Sequence, residues 1–81
     1  MEPNPLHTFA ANVRRLREEH DLSQQHLAEL ADLNMTDVSR IERARREPGL
    51  RVVVKVARGL SVPVSEFFHG IETIEHDGKA S

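Results

Sequence analysis

The stretch LAELADLNMTDVSRIER, from Leu27 to Arg43, contains two short helical patterns separated by only about three residues. The first pattern is apolar and rich in Ala, whereas the second has two different sides. At about 100° per residue, Val38, Ile41 and Glu42 fall on one side of a helical wheel. The other side carries four polar residues within about 100° of arc, namely Thr36, Ser39, Arg40 and Arg43. One face is therefore expected to pack and the opposite face to present hydrogen-bond donors.

The joint between these two helices is expected to be tight. Ala28 is small at the point where the second helix must cross the first, and a larger side chain would push the helices apart. Leu33 and Val38 are expected to pack at the contact between the two helices. This pattern is typical of a helix-turn-helix, whose second helix lies in the major groove of DNA.

Capping residues mark the starts of the first three predicted helices. Asn4 followed by Pro5 is a favoured start, and it predicts a first helix over about 5–19. Ser23 is expected to cap the first helix of the motif, and Asn34 the second.

Two further helices are predicted after the motif. Residues 51–56 resemble a strand by propensity, but a single strand would have no partner, so a helix over about 50–59 is predicted instead. Ser65 is expected to cap a short fifth helix that runs through Phe67 and Phe68 and ends near Gly70. The predicted fold class is all-α, as a compact five-helix domain.

Length and composition fit one small domain without covalent cross-links. The 81 residues are divided into a domain over 1–74 and a flexible acidic tail over 75–81. The chain has no cysteine, so it can form neither a disulfide nor a thiolate metal site. No apolar run is long enough to cross a bilayer, and no secretory signal is visible, so we expect a cytoplasmic protein.

The charge distribution favours a polyanionic partner although the net charge is −2. Residues 40–58 contain seven Arg or Lys residues against two Glu, a local charge of +5, whereas residues 59–81 carry −3. Local fields rather than net charge attract a polyanion. The alternative for the basic block is a solvated surface.

The chain resembles the lambda-repressor-like helix-turn-helix family, of the Cro/repressor or xenobiotic-response-element type. The resemblance extends over roughly residues 8–69. It is carried by four segments: Leu22–Ala31 (LSQQHLAELA), Val38–Arg43 (VSRIER), Pro48–Leu50 (PGL) and Val56–Val62 (VARGLSV). The resemblance implies a five-helix domain that binds double-stranded operator DNA, usually as a symmetric dimer.

The resemblance assigns expected roles to individual residues. Gln24 matches the family's phosphate-binding Gln at the start of the second helix, and Arg17 and Glu42 match a structural ion pair. Met35, Thr36 and Arg40 match positions that touch base edges. The complete set of expected DNA contacts is Gln24, Gln25, Asn34, Met35, Thr36, Ser39, Arg40, Arg43, Arg45 and Arg46.

The expected contacts differ in what they would recognise. Arg40 can reach guanine O6 and N7 in bidentate fashion, which is worth about 1–3 kcal/mol of discrimination. Met35 leans inward on the wheel, so a core position is an open alternative to a base contact. Three further arginines, Arg43, Arg45 and Arg46, are expected to neutralise phosphates, or otherwise to form a solvated loop.

Four positions depart from the family, which usually has Gly where this chain has Asp21, Asp32, Ala44 and Ser61. Asp tolerates left-handed backbone better than most residues. Residues 44–48 are expected to leave the third helix, but Ala44 is less suited to a left-handed turn, so continuation of the helix through Ala44 is an open alternative. The angle between the second and third helices is the feature that these changes affect.

Four apolar residues near the end of the matched region predict self-association: Phe67, Phe68, Ile71 and Ile74. A homodimer would place two recognition helices about 34 Å apart, one turn of DNA. The alternative for Phe67 and Phe68 is ordinary core.

Other functional classes receive little support from the sequence. The five histidines show no ligand spacing, so no metal or other cofactor is expected, and no catalytic constellation is apparent. The main alternative function is a protein-interaction module, in which an antitoxin or adaptor uses the same fold to hold a partner such as a toxin. The preferred reading is a small dimeric repressor or autoregulator, and a controller of a restriction-modification system also fits the length.

Overall fold

The computed structural model describes residues 4–72, and every regular element in that range is helical. The α-helices are α1 (Pro5–Glu19), α2 (Gln24–Leu30), α3 (Met35–Glu42) and α4 (Leu50–Leu60), and a 3₁₀ helix (Val64–Phe68) follows them. The predicted all-helical class is confirmed, as is the choice of a helix rather than a strand for α4. The proposed tail over 75–81 and Ile74 lie outside the described residues.

The first three helices begin with the side-chain caps predicted from the sequence. In each case a side-chain oxygen accepts a hydrogen bond from a backbone N–H in the first turn, which would otherwise lack a partner. The distances are 2.8 Å from Leu6 N to Asn4, 3.0 Å from His26 N to Ser23 and 2.8 Å from Asp37 N to Asn34.

All four α-helices end in the same way, with a left-handed residue and a backbone hydrogen bond that spans five residues. The left-handed residues have φ between 54° and 57° and are Asp21, Asp32, Ala44 and Ser61. The N–H of each following residue reaches back into the helix over 2.8–3.1 Å: Leu22 to Arg17, Leu33 to Ala28, Arg45 to Arg40 and Val62 to Ala57. This is the Schellman motif, in which a left-handed residue satisfies the last carbonyls of a helix.

The alternative in which α3 continues through Ala44 is therefore excluded, and residues 44–48 leave the helix as predicted. The helix ends at Glu42, and Ala44 turns the chain with φ of 54°. The Arg45 N–H bonds to the Arg40 carbonyl at 2.8 Å, and this bond holds the turn although Ala lacks the freedom of Gly.

The fifth element is a 3₁₀ helix rather than the predicted α-helix, and Ser65 does not cap it. It follows Pro63, and no side chain bonds to its first turn. The buried Asn12 accounts for the absence of a longer α-helix here. Its Nδ2 donates to the Phe67 carbonyl at 2.8 Å and to the His69 carbonyl at 2.9 Å. These bonds draw backbone carbonyls toward α1 instead of leaving them to a longer helix.

The core lies where α2 packs against α3 and α4, and where α1 packs against α3 and the 3₁₀ helix. Ala28 is buried, as its small size suggested. Gly59 permits the close approach of α4 to α2. A Cβ at that position would lie 3.1 Å from Ala31 N and 3.2 Å from Leu27 Cδ1. This packing fixes the position of α3 on the surface.

Replacing Ala44 by Gly should stabilise the protein by about 0.5–1 kcal/mol, because Gly removes the left-handed strain that Ala bears. Urea unfolding measures the change. The matched control is Ala11→Gly in the middle of α1, which should destabilise by a similar amount. Destabilisation by both substitutions would show that the turn at Ala44 is not strained.

Candidate nucleic-acid interface

The helix α3 has the two sides that its sequence predicts. Val38 and Ile41 are both only 1% exposed and belong to the core. Thr36, Arg40 and Arg43 are exposed, with the half-buried Ser39 beside them. One side of this short helix thus packs into the core, and the opposite side presents hydrogen-bonding side chains to solvent.

Met35, at the first turn of α3, is 48% exposed. The inward position left open by the wheel is therefore excluded, because a core methionine would be buried. Its flexible thioether side chain adds apolar surface beside Thr36 at the start of the outward face.

Arg17 and Glu42 form a nearly buried ion pair between α1 and α3. The Arg17 Nε lies 2.6 Å from Glu42 Oε2, and a second bond of 3.0 Å joins the other oxygen. The side chains are 12% and 2% exposed, respectively. The hydrogen bond that Arg17 donates to Glu42 raises the pKa of Arg17 above its usual value, so the guanidinium stays charged although burial opposes this.

The same pair also holds the chain between α1 and α2. Arg17 donates to the Leu22 carbonyl at 2.7 Å, and Gln24 donates from Nε2 to Glu42 Oε1 at 3.1 Å. Gln24 is the first residue of α2. The end of α1, the start of α2 and the end of α3 are therefore joined through four polar groups. A Gln amide has two N–H bonds, so one remains after the bond to Glu42.

The four arginines expected to contact DNA differ in their surroundings. Within residues 4–72, Arg40, Arg43 and Arg45 make no hydrogen bond or ion pair through their side chains. Arg46 is different, because its guanidinium lies 2.8 Å from Asp37 Oδ1 in the first turn of α3. Three cations are therefore open toward solvent beside the outward face of α3, and one is already paired.

Two further expected contacts lie at the starts of the motif's helices. Gln25 lies exposed in the first turn of α2, and Asn34 lies exposed immediately before α3. The Asn34 side-chain oxygen already accepts from Asp37 N, which leaves its amide N–H groups for other partners.

Comparison with known proteins agrees with this geometry. A family model described as helix-turn-helix matches residues 13–67, which is more than half of the chain. The control protein C.MunI from a Mycoplasma species is 38% identical over 79% of this chain and 88% of its own length.

The chain belongs to the lambda-repressor-like helix-turn-helix family.

Two other relatives of this helix-turn-helix protein are a restriction-modification controller and a phage repressor. The crystal structure of the restriction-modification controller protein C.AhdI from Aeromonas hydrophila has a TM-score of 0.76 and 35% identity, over 78% of this chain and 96% of that one. The immunity repressor protein of Bacillus phage phi105 is 34% identical over 90% of this chain and 50% of its own length.

The helix-turn-helix protein also has an apolar groove away from α3. The groove has a volume of about 410 Å³, and its lining comprises Pro5, Leu6, Phe9, Glu47, Pro48, Leu50, Val53, Val64, Phe68 and Ile71. Leu50 is 79% exposed, Phe68 46% and Val64 40%. Three large apolar side chains are thus open to solvent around one depression.

The structure corrects part of the predicted self-association surface. Phe67 is fully buried, and its ring lies 5.5 Å from that of Phe9 in an edge-to-face arrangement, so it belongs to the core. Phe68 and Ile71 do line the groove. Sequence reasoning missed Leu50 as part of this surface. Its place in the first turn, directly after Pro48-Gly49, is the signal that it precedes the packed part of the helix.

The central ion pair gives a direct test of this site. Glu42→Ala should destabilise the protein by about 3 kcal/mol, because it leaves the Arg17 charge nearly buried without its partner. Thermal or urea unfolding measures the loss. Arg14→Ala breaks a pair whose side chains are 64% and 55% exposed, and it should cost less than about 0.5 kcal/mol. Equal losses in the two variants would contradict a structural role for Arg17 and Glu42.

No helix within residues 4–72 is long and apolar enough to cross a membrane. In the same range, no three His, Asp or Glu side chains come together as a metal site would require.

Proposed function

We propose that this chain is a small regulator that reads a palindromic DNA operator as a homodimer, with α3 of each protomer in the major groove. The observation that carries the proposal is the outward face of α3, which presents Thr36 and Arg40 above the buried Val38 and Ile41. The major groove is about 12 Å wide and admits one α-helix. An anchored helix with exposed polar side chains is suited to it.

Arg40 is the proposed base-reading residue. It is exposed near the middle of the outward face and has no partner among the described residues. A free guanidinium can donate two parallel hydrogen bonds to guanine. Thr36, one turn earlier, offers a hydroxyl to a base edge and a methyl group to thymine, and the exposed Met35 adds an apolar contact.

The proposed phosphate contacts surround that helix. Arg43 and Arg45 neutralise backbone charge, and Gln24 offers the N–H that its bond to Glu42 leaves free. Gln25 and Asn34 donate from the first turn of α2 and the cap of α3. Contacts of this kind fix the register of the protein on DNA without reading its sequence.

The apolar groove is the proposed dimer surface. Leu50, Val64 and Phe68 leave apolar area in contact with water within one protomer, and a second copy would bury that area. A two-fold dimer doubles the number of base contacts and separates the recognition helices by about 34 Å. The operator of such a dimer is palindromic.

The names of two relatives support a role in regulation, which we propose takes place in the bacterial cytoplasm. C.MunI is named a control protein, and C.AhdI is titled a restriction-modification controller. We infer that this chain regulates a small set of promoters, including its own, as such a controller or as a repressor. It performs no catalysis in this role.

A second candidate function is favoured by the same apolar groove. A protein-interaction module, such as an antitoxin, would place a segment of a partner protein there instead of a second copy. Salt separates the two proposals. Specific DNA binding weakens steeply as salt rises because phosphate contacts release counterions, whereas an apolar partner site does not respond in this way.

Selection of bound fragments from random DNA should yield a palindromic motif. Arg40→Ala should then lower the preference for that motif over random DNA by about 1–3 kcal/mol, because one bidentate base contact is lost. Titration by fluorescence anisotropy measures both affinities at one salt concentration. The absence of any enriched motif, or an unchanged preference in Arg40→Ala, would contradict the proposed reading of bases.

Phe68→Glu should convert the dimer to a monomer in sedimentation velocity, because it places a charge on the apolar groove. Leu30→Glu provides the control, since Leu30 is 55% exposed on α2 and does not line the groove. The control should remain dimeric. A monomeric wild-type protein at high micromolar concentration would refute the dimer surface.

A further inference from the structure

The ion pair between Asp37 and Arg46 lies at the border of the outward face of α3. Asp37 is in the first turn of α3, and Arg46 is in the segment between α3 and α4. The pair joins Arg46 Nη1 to Asp37 Oδ1 at 2.8 Å, and the side chains are 37% and 22% exposed, respectively. The segment after α3 is thereby folded back onto the beginning of that helix.

Asp37 is also a neighbour of the base-reading candidate. Asp37 and Arg40 are three residues apart in one helix, so their Cβ atoms are about 5–6 Å apart and their side chains can meet on the helix surface. Within the described residues, however, Arg40 makes no ion pair, and the Asp37 carboxylate is engaged by Arg46. Two arginines therefore lie near one carboxylate, and it is Arg46 that pairs with its Oδ1 and offsets its negative charge.

We propose that Arg46 is a positioning residue, which withholds Asp37 from Arg40 and so keeps the Arg40 guanidinium available to a base. This inference rests on the proposed DNA-reading function of α3. An Arg40 that pairs with Asp37 lies along the helix, and it must break that pair before it can extend into the major groove. The free energy needed to break the pair then reduces the free energy of specific DNA binding by the same amount.

This role differs from the phosphate contact that sequence alone suggests for Arg46. A phosphate contact strengthens binding to every DNA sequence equally. A positioning residue affects mainly the sequences for which Arg40 makes a base contact. The two roles therefore differ in the ratio of specific to random affinity, and not only in affinity itself.

The experiment compares wild type, Arg46→Ala, Asp37→Asn and the double variant on the selected operator and on random DNA. Arg46→Ala should lower the ratio of the two affinities about two- to fivefold, which corresponds to an exposed ion pair formed by Arg40 and Asp37. The double variant should recover the wild-type ratio, because no carboxylate remains to capture Arg40. A loss that is equal on both DNAs and is not rescued by Asp37→Asn would overturn the proposal.

The salt dependence of binding provides an independent check. Asp37→Asn alone releases Arg46 to bind a phosphate, so the slope of log affinity against log salt should steepen by about 0.9. If Arg46 already contacts phosphate in the wild-type complex, the slope will not change, and the proposal fails.

Nitrogen-15 NMR of the free protein tests the contact without DNA. In Arg46→Ala, the Arg40 Nε–H should become protected from exchange by pairing with Asp37, and the protection should vanish in the double variant. An exposed Arg40 in Arg46→Ala would overturn the proposal even if DNA binding is specific. If wild type shows no operator preference, the proposed function fails, whereas the NMR result still decides whether Arg46 controls Arg40.

Arg14→Ala is the matched control, because it also removes one guanidinium from an ion pair, on α1. Its ratio of specific to random affinity should stay within about 1.5-fold of wild type, since exposed charges elsewhere contribute little. A fall equal to that of Arg46→Ala would mean that loss of any positive charge is sufficient, which contradicts a local role.

Discussion

The ion pair between Arg17 and Glu42 is the interaction on which the geometry of the motif depends. It joins α1 to the end of α3, while Arg17 also holds the Leu22 carbonyl and Glu42 also accepts from Gln24. Replacing either member would leave a charge out of water without a partner, which costs far more than the pair itself contributes. The arrangement therefore specifies one position of α3 relative to α1 and α2 more than it adds stability.

That fixed position determines what the outward face of α3 can do. Val38 and Ile41 fill the core below, so Thr36, Arg40 and Arg43 remain at the surface. A helix of eight residues would not be stable alone, because nucleation is costly and only tertiary packing supports so short a segment. Rigidity of the motif and exposure of its polar face thus have the same origin, and both are needed for a helix that must match the major groove.

Much of this organisation is predictable from sequence, because periodicity and capping act locally. Asn4, Ser23 and Asn34 identify three helix starts through the oxygen atoms that they offer.

The errors lie where contacts between residues far apart in sequence determine the structure. Asn12 bonds to carbonyls more than fifty residues away and interrupts the predicted fifth helix. The rings of Phe67 and Phe68 both lie near Phe9, but Phe67 is fully buried whereas Phe68 remains half exposed, and no local pattern separates the two. The pairing of Asp37 with Arg46 likewise depends on the turn at Ala44.

The most direct test of the central claim is NMR mapping of the labelled protein during titration with an operator duplex. The largest chemical-shift changes should cluster on Thr36, Ser39, Arg40 and Arg43, with smaller changes at Gln24. The buried Val38 should show only the change that its neighbours transmit to it. Changes concentrated around Leu50 and Val64, with α3 unaffected, would show that DNA binds a surface other than the polar face of α3.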